Sequence, residues 1–329
     1  MEEKIKAMTK KNSGSQPPQI KINTFSHILQ EVGQAPATRR ALYKAIESET
    51  KKQFNIDGKV VAFFTFFTFP VLIADQDADM LEEVLVNTSM DDKKLVLILN
   101  SPGGDALAAE RIINICRTYS SQDFFVIVPK MAKSAATMIC LGACKIAMSK
   151  TSELGPIDPQ ILIRDAEGRP TGYKPAHEII ESYKELLNQA NKSKGRIEPY
   201  LQQLARYDAR DIRSIKSDQA LSESIAIKSL KSGMLSSLSD KQIKTKIKPF
   251  LDPAYTKSHG RPIYHNTAKE CGLTVQLFDT TSNLWKSVWQ LYMRLNYVVT
   301  NLGTTKIIES SEDSYLAQIP PDLQRLLQS

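Results

Sequence analysis

Cysteine is scarce in this chain, and long apolar segments are missing. The first shortage argues against a disulfide-rich or metal-binding protein, and the second against a membrane-spanning one. The four cysteines in 329 residues match no disulfide framework or metal-ligand spacing: Cys116, Cys140, Cys144 and Cys271. Reduced, packed thiols suit the cytoplasm, so we expect no disulfide and no metal site. The most apolar stretch, Val60–Ile73, has 14 residues and contains a proline, so it is too short to span a bilayer.

Several binding signatures are also absent. The chain has no zinc-finger, Walker A or RNA-binding pattern, and no G-x-G-x-x-G fingerprint for a nicotinamide cofactor. The formal net charge is +7, and the basic residues concentrate between Lys192 and Lys248, as on a solvated helical face. We therefore expect no organic cofactor, and we do not expect nucleic acid as a partner.

Two segments of the chain bear on where the protein is located in the cell. The first residues are polar and have no signal-peptide core, so we expect a cytoplasmic protein. The segment Asn283–Val298 is an amphipathic helix with tryptophans beside its apolar side. Core or subunit packing is the preferred explanation of this helix, and peripheral membrane contact stays open as an alternative.

Four apolar segments alternate with helical patterns in the first half of the chain. The predicted strands are Lys59–Phe67, Lys94–Asn100, Phe124–Val128 and Lys145–Met148. The predicted helices are Thr38–Lys52, Asp77–Asn87, Ala106–Tyr119 and one that opens at Ser134. This alternation predicts an α/β fold with a parallel sheet and right-handed crossovers.

The second half is predicted to be mainly helical. Residues 171–250 carry helical patterns, with Ser217 as a candidate cap of a helix that ends before Gly233. A short helix is predicted at Thr267–Cys271, closed by Gly272.

A glycine pair follows one of the buried strands. Leu95–Leu99 is continuously apolar, as in a parallel strand buried on both faces, and it runs into Ser101, Pro102, Gly103 and Gly104. Glycine lets backbone N–H groups approach one point without a blocking side chain, which an oxyanion hole requires. An ordinary strand-to-helix turn is the alternative.

Ser134 lies at the corresponding place after the next strand. It opens an apolar helix whose first residues are small. The commonest role of such a serine is an N-cap, whereas a nucleophile there would gain from the positive end of the helix dipole. In the second case Ala135 offers a further N–H to an oxyanion.

Three motifs in order, SPGGD, KSAATM and SELGPIDPQ, resemble the Clp-protease/crotonase superfamily, and most of all the serine dehydrogenase proteinase family. Its relatives include signal peptide peptidase A and the NfeD-type serine proteases. The resemblance is strong from Lys59 to Gln160 and weak to Val275. It implies a Clp/crotonase-like parallel βαβ core (a ββα superhelix) with helical C-terminal additions. We divide the chain into a disordered or arm-like segment 1–35, a protease domain 36–275, and a C-terminal helix and tail 276–329.

The resemblance also implies a chemistry. Ser134 corresponds to the nucleophile, Gly103 and Gly104 to the oxyanion hole, and a homo-oligomer is expected because superfamily members form rings or trimer-based assemblies. Clp proteases place a histidine about one strand after the nucleophile, where this chain has Asp158. The other relatives use a Ser-Lys dyad, which points to Lys174, 40 residues after Ser134.

The sequence thus leaves the general base, which would accept the Ser134 proton, as the least determined residue of the predicted site. Lys174 precedes Pro175 and a helical pattern, and a helix start favours the neutral amine that can accept a proton. His177 and His259 are the alternative bases. Lys133, next to Ser134, is expected to point elsewhere and to contact substrate or a subunit.

The segment around Pro156, Ile157 and Asp158 is rigid because two prolines restrict its backbone. It is predicted to form the wall of a substrate groove beside the nucleophile, and a structural turn is the alternative. The predicted function is a serine endopeptidase that works through an acyl-enzyme on a peptide or protein substrate, without a cofactor. The alternatives are a noncatalytic ring-forming binding or scaffold protein and acyl-CoA chemistry of the crotonase type.

Overall fold

A computed structural model of the protein describes residues 28, 31, 35–67, 71–165, 167–252, 255 and 258–318. The predicted disordered or arm-like segment 1–35 lies outside the described residues, apart from Ile28, Glu31 and Ala35.

A seven-stranded sheet forms the centre of the protein, in the order β11-β10-β1-β2-β3-β5-β9. Five of its strands are parallel: β1 (Gly58–Thr65), β2 (Lys94–Asn100), β3 (Phe124–Val128), β5 (Lys145–Met148) and β9 (Val275–Leu277). At one edge, β10 (Thr304–Ser310) and β11 (Ser314–Gln318) pair antiparallel. Of the parallel strands, β2 and β3 are buried on both faces over nearly their whole length, which explains why their sequences are largely continuous apolar runs.

Helices cover both faces of the sheet. On one face the core includes α2 (Asp75–Val86), α3 (Ala106–Thr118), α4 (Ala135–Gly142), α7 (Ala209–Lys231), α8 (Asp240–Lys246), α9 (Lys248–Leu251) and α10 (His265–Glu270). On the other face it includes α1 (Ala35–Phe54) and α11 (Asn283–Asn301). The side chains of β1 are divided between the two cores: Val61 and Phe63 face the first, whereas Val60 and Phe64 face the second.

Smaller elements complete the fold. Two strand pairs lie outside the main sheet: β4 (Met131–Ala132) with β6 (Glu153–Leu154), and β7 (Gln160–Arg164) with β8 (Pro170–Pro175). The remaining helices are α5 (Ala176–Lys192) and α6 (Glu198–Leu204). Within the described residues, no helix combines the length and the apolar character needed to cross a membrane.

The predicted fold class is confirmed: the protein is mixed α/β with a largely parallel central sheet and flanking helices. The strands β2, β3 and β5 have the predicted bounds, and the helices α1, α2 and α3 differ from prediction by a few residues at their ends. Continuous apolar segments between clear turn signals made these elements predictable.

Residues 171–250 are mostly helical, as predicted, and residues 170–175 form a strand of the β7–β8 hairpin. One local prediction in this region was wrong. Ser217 does not cap a helix, because α7 begins at Ala209 and is capped by the side chain of Asp208. The Ser217 hydroxyl instead donates to the Arg213 carbonyl inside the helix. Serine hydroxyls bond to nearby backbone groups both at caps and inside helices, which explains the wrong assignment of Ser217.

The segment after residue 275 belongs to the same core. β10 pairs with β1 in register across five residues, and α11 packs on α1. Two charged residues of β10 are buried in ion pairs, Lys306 with Asp77 and Glu309 with Arg39. These charges interrupt the apolar pattern that would otherwise mark a strand. The predicted boundary at residue 275 therefore does not coincide with a break in the core.

The four cysteines are free thiols, three of them buried. Burial raises the pKa of the Cys116 and Cys140 thiols strongly and that of Cys271 to about 11. Because the thiolate is the reactive form, these side chains act as packing groups.

Candidate active site

Ser134 lies between β4 and α4 in an unusual backbone conformation. Its φ of 50° and ψ of −121° fall outside the extended region that an N-cap residue normally adopts, and its side chain makes no capping hydrogen bond. A non-glycine residue in such a region costs about 1–3 kcal/mol and persists only where the surroundings hold it. The hydroxyl is therefore not used as a helix cap.

Gly103 packs directly against this turn. A Cβ at position 103 would lie 2.5 Å from the Lys133 carbonyl oxygen and 2.6 Å from the Ser134 Cβ, and the Gly103 φ is 103°. Only glycine lets the end of β2 approach Ser134 so closely. The Gly103 N–H donates to the Ser101 hydroxyl at 3.2 Å, and that hydroxyl also accepts from Thr65 at 3.0 Å.

Two other N–H groups near Ser134, those of Gly104 and Ala135, are not engaged in this way. Ile73 pairs with the peptide groups on both sides of Gly104, because its N–H donates to the Gly103 carbonyl and its carbonyl accepts from the Asp105 N–H. The N–H of Gly104 itself therefore points away from Ile73. Ala135 is the first residue of α4, where helical N–H groups lack intrahelical acceptors. In the described part of the chain, neither the Gly104 nor the Ala135 N–H donates a hydrogen bond.

His259 and Asp158 form a hydrogen-bonded pair. The His259 Nδ1 lies 2.7 Å from Asp158 Oδ1, although 101 residues separate them. The Asp158 side chain is fully buried, and that of His259 is 21% exposed. The other carboxylate oxygen accepts from the Gln160 side chain at 3.2 Å. An ionised carboxylate only accepts hydrogen bonds, so it favours the tautomer with a proton on Nδ1 and leaves Nε2 as the acceptor.

Backbone pairing holds the two segments together on both sides of this contact. Leu154 and Ile263 exchange two N–H···O bonds, of 3.0 and 2.9 Å. The Ile157 N–H donates to the Phe250 carbonyl at 2.8 Å. The loop with His259 is thus attached to the segment that carries Asp158.

Ser134 and His259 line the same cavity, which has a volume of about 520 Å³. The apolar side chains around it include Leu72, Leu107, Met138, Ile157, Ile161, Tyr173 and Leu221. Asp105 and Asp218 also line it, and the described residues contribute no lysine or arginine to its wall. The cavity therefore combines a hydroxyl, an imidazole and an apolar surface with negative charge at its border.

The segment predicted as a groove wall lies beside the Ser134 cavity. Ile157 lines the cavity, and Asp158 lies beneath it with its carboxylate directed at His259. Pro156 is buried and is not among the described lining residues, whereas Pro159 and Gln160 are. The segment thus lies beside Ser134, and its role as the wall of a substrate groove stays a prediction.

The structure does not bring Lys174 to Ser134, so the predicted Ser-Lys pair requires correction. Lys174 is an exposed residue of β8 and borders a different cavity, of about 670 Å³. Its neighbour Tyr173 lines the Ser134 cavity, whereas the described lining of that cavity does not include Lys174. The helix expected to begin beside Lys174 starts at Ala176.

The other candidate residues are also located. His177 is half-buried on α5 and lies outside the described lining of the Ser134 cavity. Lys133 points away from the cavity, and its ammonium group pairs with Glu153 at 2.7 Å. His259, an alternative base in the sequence analysis, is the residue that shares a cavity with Ser134. No local pattern could rank it first, since its partner Asp158 is remote in sequence.

The model of the family described as ClpP-like SDH-type serine proteinase matches residues 36–193. This range contains Ser134 and Asp158 and ends before His259. This match confirms, over residues 36–193, the resemblance inferred from the sequence motifs.

Two uncharacterized proteins of Methanocaldococcus jannaschii are similar to this chain. MJ1495 is 34% identical over 123 residues, which cover 36% of this chain and 37% of that protein. MJ0137 is 29% identical over 232 residues, which cover 69% of this chain and 68% of that protein. The chain thus spans little more than a third of the first relative's length. The family points to a protease, and the chemistry must be argued from the site itself.

Proposed function

We propose that this protein is a serine endopeptidase in which Ser134 is the nucleophile, His259 the general base and Asp158 the residue that orients the base. The observation that carries the proposal is the 2.7 Å contact between His259 Nδ1 and the buried Asp158 carboxylate, on the cavity that Ser134 also lines. The family supports protease function at the coarser level.

Acylation uses the three groups together. The Ser134 Oγ attacks the scissile carbonyl carbon while His259 Nε2 takes the hydroxyl proton. The Asp158 carboxylate stabilises the imidazolium and keeps its ring in place. His259 then gives the proton to the departing amine, the C–N bond breaks, and Ser134 is left as an ester.

The developing oxyanion needs donors that are not already engaged. The N–H groups of Gly104 and Ala135 meet this condition, because the Gly103 N–H is held by Ser101. We therefore assign the oxyanion hole to Gly104 and Ala135, with Gly103 as the residue that allows close packing. One such donor typically contributes 10²- to 10³-fold to kcat.

Deacylation repeats the chemistry with water. His259 takes a proton from water, the resulting hydroxide attacks the ester carbonyl, and the Ser134 oxygen leaves and recovers its proton. The free acid and the regenerated enzyme are the products. No metal or organic group takes part in these steps.

The proposal is tested by covalent labelling with a fluorophosphonate probe, followed by peptide mass spectrometry. The variants are Ser134→Ala, His259→Gln and, as the matched control, Lys174→Met. We expect labelling of Ser134 in the wild type, loss in the first two variants, and unchanged labelling in Lys174→Met. Cleavage of an unstructured protein such as casein should follow the same order.

Two outcomes would contradict the proposal. Labelling that is lost in Lys174→Met but retained in His259→Gln would restore the Ser-Lys dyad. A folded wild type that is neither labelled nor able to cleave peptides would favour the noncatalytic binding or scaffold protein.

We further propose a homo-oligomer. Apolar side chains are exposed on α5 and α6, among them Leu187 and Leu201, and exposed apolar side chains of this kind are suited to burial between copies. Light scattering coupled to size-exclusion chromatography tests this: a mass well above 36.8 kDa is expected, and a monomer at micromolar concentration contradicts it.

A further inference from the structure

Lys133, the residue before the candidate nucleophile, has all its polar groups engaged. Its N–H donates to the Ser101 carbonyl at 3.0 Å, and its carbonyl accepts from the Ala136 N–H at 2.9 Å. Its ammonium group donates to the Glu153 carboxylate at 2.7 Å and to the Leu154 carbonyl at 3.1 Å. The side chain thus connects the end of β4 to β6.

The path of this side chain is closely packed. A Cβ at Gly155 would lie 2.7 Å from Lys133 Cδ, so a larger residue there would displace the lysine. The Lys133 and Glu153 side chains are 14% and 25% exposed, which shields the pair from solvent more than a surface pair. The contact is therefore a defined connection rather than one of several surface arrangements.

The segment reached by Lys133 also positions the other catalytic groups. Leu154 is four residues before Asp158, and it pairs with Ile263, four residues after His259. On the other side, Lys133 is bonded directly to Ser134. One side chain therefore links the strained nucleophile turn to the segments that carry the imidazole and its carboxylate.

We propose that Lys133 is a positioning residue for the serine protease chemistry, an inference that rests on the proposed function. Its ammonium group donates to two acceptors on β6 and lies outside the described lining of the Ser134 cavity, so it does not accept the hydroxyl proton. It holds the Ser134 hydroxyl at the distance and angle from His259 that proton transfer requires.

The test compares Lys133→Met, Lys133→Arg and Glu153→Gln, with Lys130→Met as the control on an exposed lysine of the same segment. The rate of fluorophosphonate labelling, kcat, KM and Tm are measured for each. Because small displacements of a nucleophile are costly, we expect Lys133→Met to lower the labelling rate and kcat by about 10- to 100-fold. KM should change less than about threefold, since the lysine does not line the cavity.

The conservative variants separate positioning from a merely structural role. Lys133→Arg keeps the charge and donors and should recover part of the rate, and Glu153→Gln keeps an acceptor and should lose less than Lys133→Met. Lys130→Met should behave like the wild type. Equal losses in Lys133→Met and Lys133→Arg that follow a fall in Tm would overturn the positioning role.

A double-mutant cycle adds a second readout. Gly155→Ala should slow labelling in the wild type, because the new methyl group displaces Lys133, but much less in a Lys133→Ala background. Additive effects would contradict the inference.

If the wild type is labelled normally and Lys133→Met equally fast, only the positioning role fails. If the wild type is not labelled at all, the proposed function fails and the inference with it.

Discussion

At the scale of single residues, the backbone of Ser134 distinguishes two roles that its sequence context left open. An N-cap and a nucleophile both suit a serine before an apolar helix. The positive φ and the absence of a capping hydrogen bond argue against the cap. A sharp, strained strand-to-helix turn that exposes a hydroxyl is also how other hydrolases present a nucleophilic serine.

Gly103→Ala tests the packing behind this turn. The added Cβ would lie 2.5 Å from the Lys133 carbonyl oxygen, and alanine does not readily adopt a φ of 103°. We expect a loss of about 1–3 kcal/mol in the free energy of unfolding, measured in urea, together with slower labelling of Ser134. Gly195→Ala is the control, because no atom lies within 4 Å of its added Cβ. Equal stabilities of the two variants would contradict the close approach.

Asp158→Asn tests the orienting carboxylate. The amide preserves the volume but can donate to Nδ1, which stabilises the wrong tautomer of His259. We expect kcat to fall by about 10²- to 10⁴-fold with a small change in KM, measured on a fluorogenic peptide. Asp123→Asn, at an exposed carboxylate remote from the cavity, should retain full activity. A loss of less than about threefold in Asp158→Asn would remove Asp158 from the mechanism.

At the scale of elements, the β7–β8 hairpin decides where Lys174 lies. Tyr173 and Lys174 are neighbours on β8, yet they border different cavities. The sequence indicated a helix start near Lys174, whereas the structure places this lysine on a hairpin strand and outside the described lining of the Ser134 cavity. The position of a strand face depends on pairing with β7, which a single-chain pattern does not reveal.

Helix α7 supplies a charge that should affect substrate choice. Asp218 is exposed and lines the Ser134 cavity, where the described residues provide no lysine or arginine. Peptides with a lysine near the scissile bond should therefore have a kcat/KM about 2- to 10-fold above their glutamate counterparts at low salt. Asp218→Asn should reduce this ratio, and added salt should as well.

The control for this preference is Asp211→Asn, an exposed carboxylate on the same helix that borders the other cavity. It should leave the lysine-to-glutamate ratio of kcat/KM unchanged. A ratio that is the same in the wild type and in Asp218→Asn would show that this carboxylate does not take part in selection.

At the scale of the whole molecule, the C-terminal strands close the fold on its N-terminal half. Glu312, in the β10–β11 turn, pairs with Lys59 of β1 and accepts from Ser89. The hydrogen bond from Lys59, followed by that from the Ser89 N–H, lowers the pKa of Glu312 from 4.5 to about 2. This turn therefore joins β1, the loop after α2 and the edge of the sheet.

Because the folded-state pKa of Glu312 is depressed, its contribution to stability is present above the unfolded value of 4.5 and is lost as the pH falls towards 2. Glu312→Gln should lower the free energy of unfolding at pH 7 by up to about 1 kcal/mol, since the pair is partly exposed. The difference from the wild type should shrink between pH 4.5 and pH 2, measured by urea unfolding. Glu83→Gln, at an exposed residue of α2, should show no such dependence.

The sequence by itself determined the sheet and helices around the glycine pair and Ser134, since their apolar runs and turn residues are local signals. It also identified the family and Ser134 as the candidate nucleophile, because three motifs follow one another within 60 residues. Local signals of this kind do not depend on how distant segments come together.

The tertiary structure decided which side chains share the cavity. His259 reaches Asp158 across 101 residues, and β10 joins β1 from the far end of the chain with its charges buried in ion pairs. Lys133 finds Glu153 through the pairing of β4 with β6. Contacts between remote segments depend on loop closure and strand register, and neither leaves a periodic pattern in the sequence.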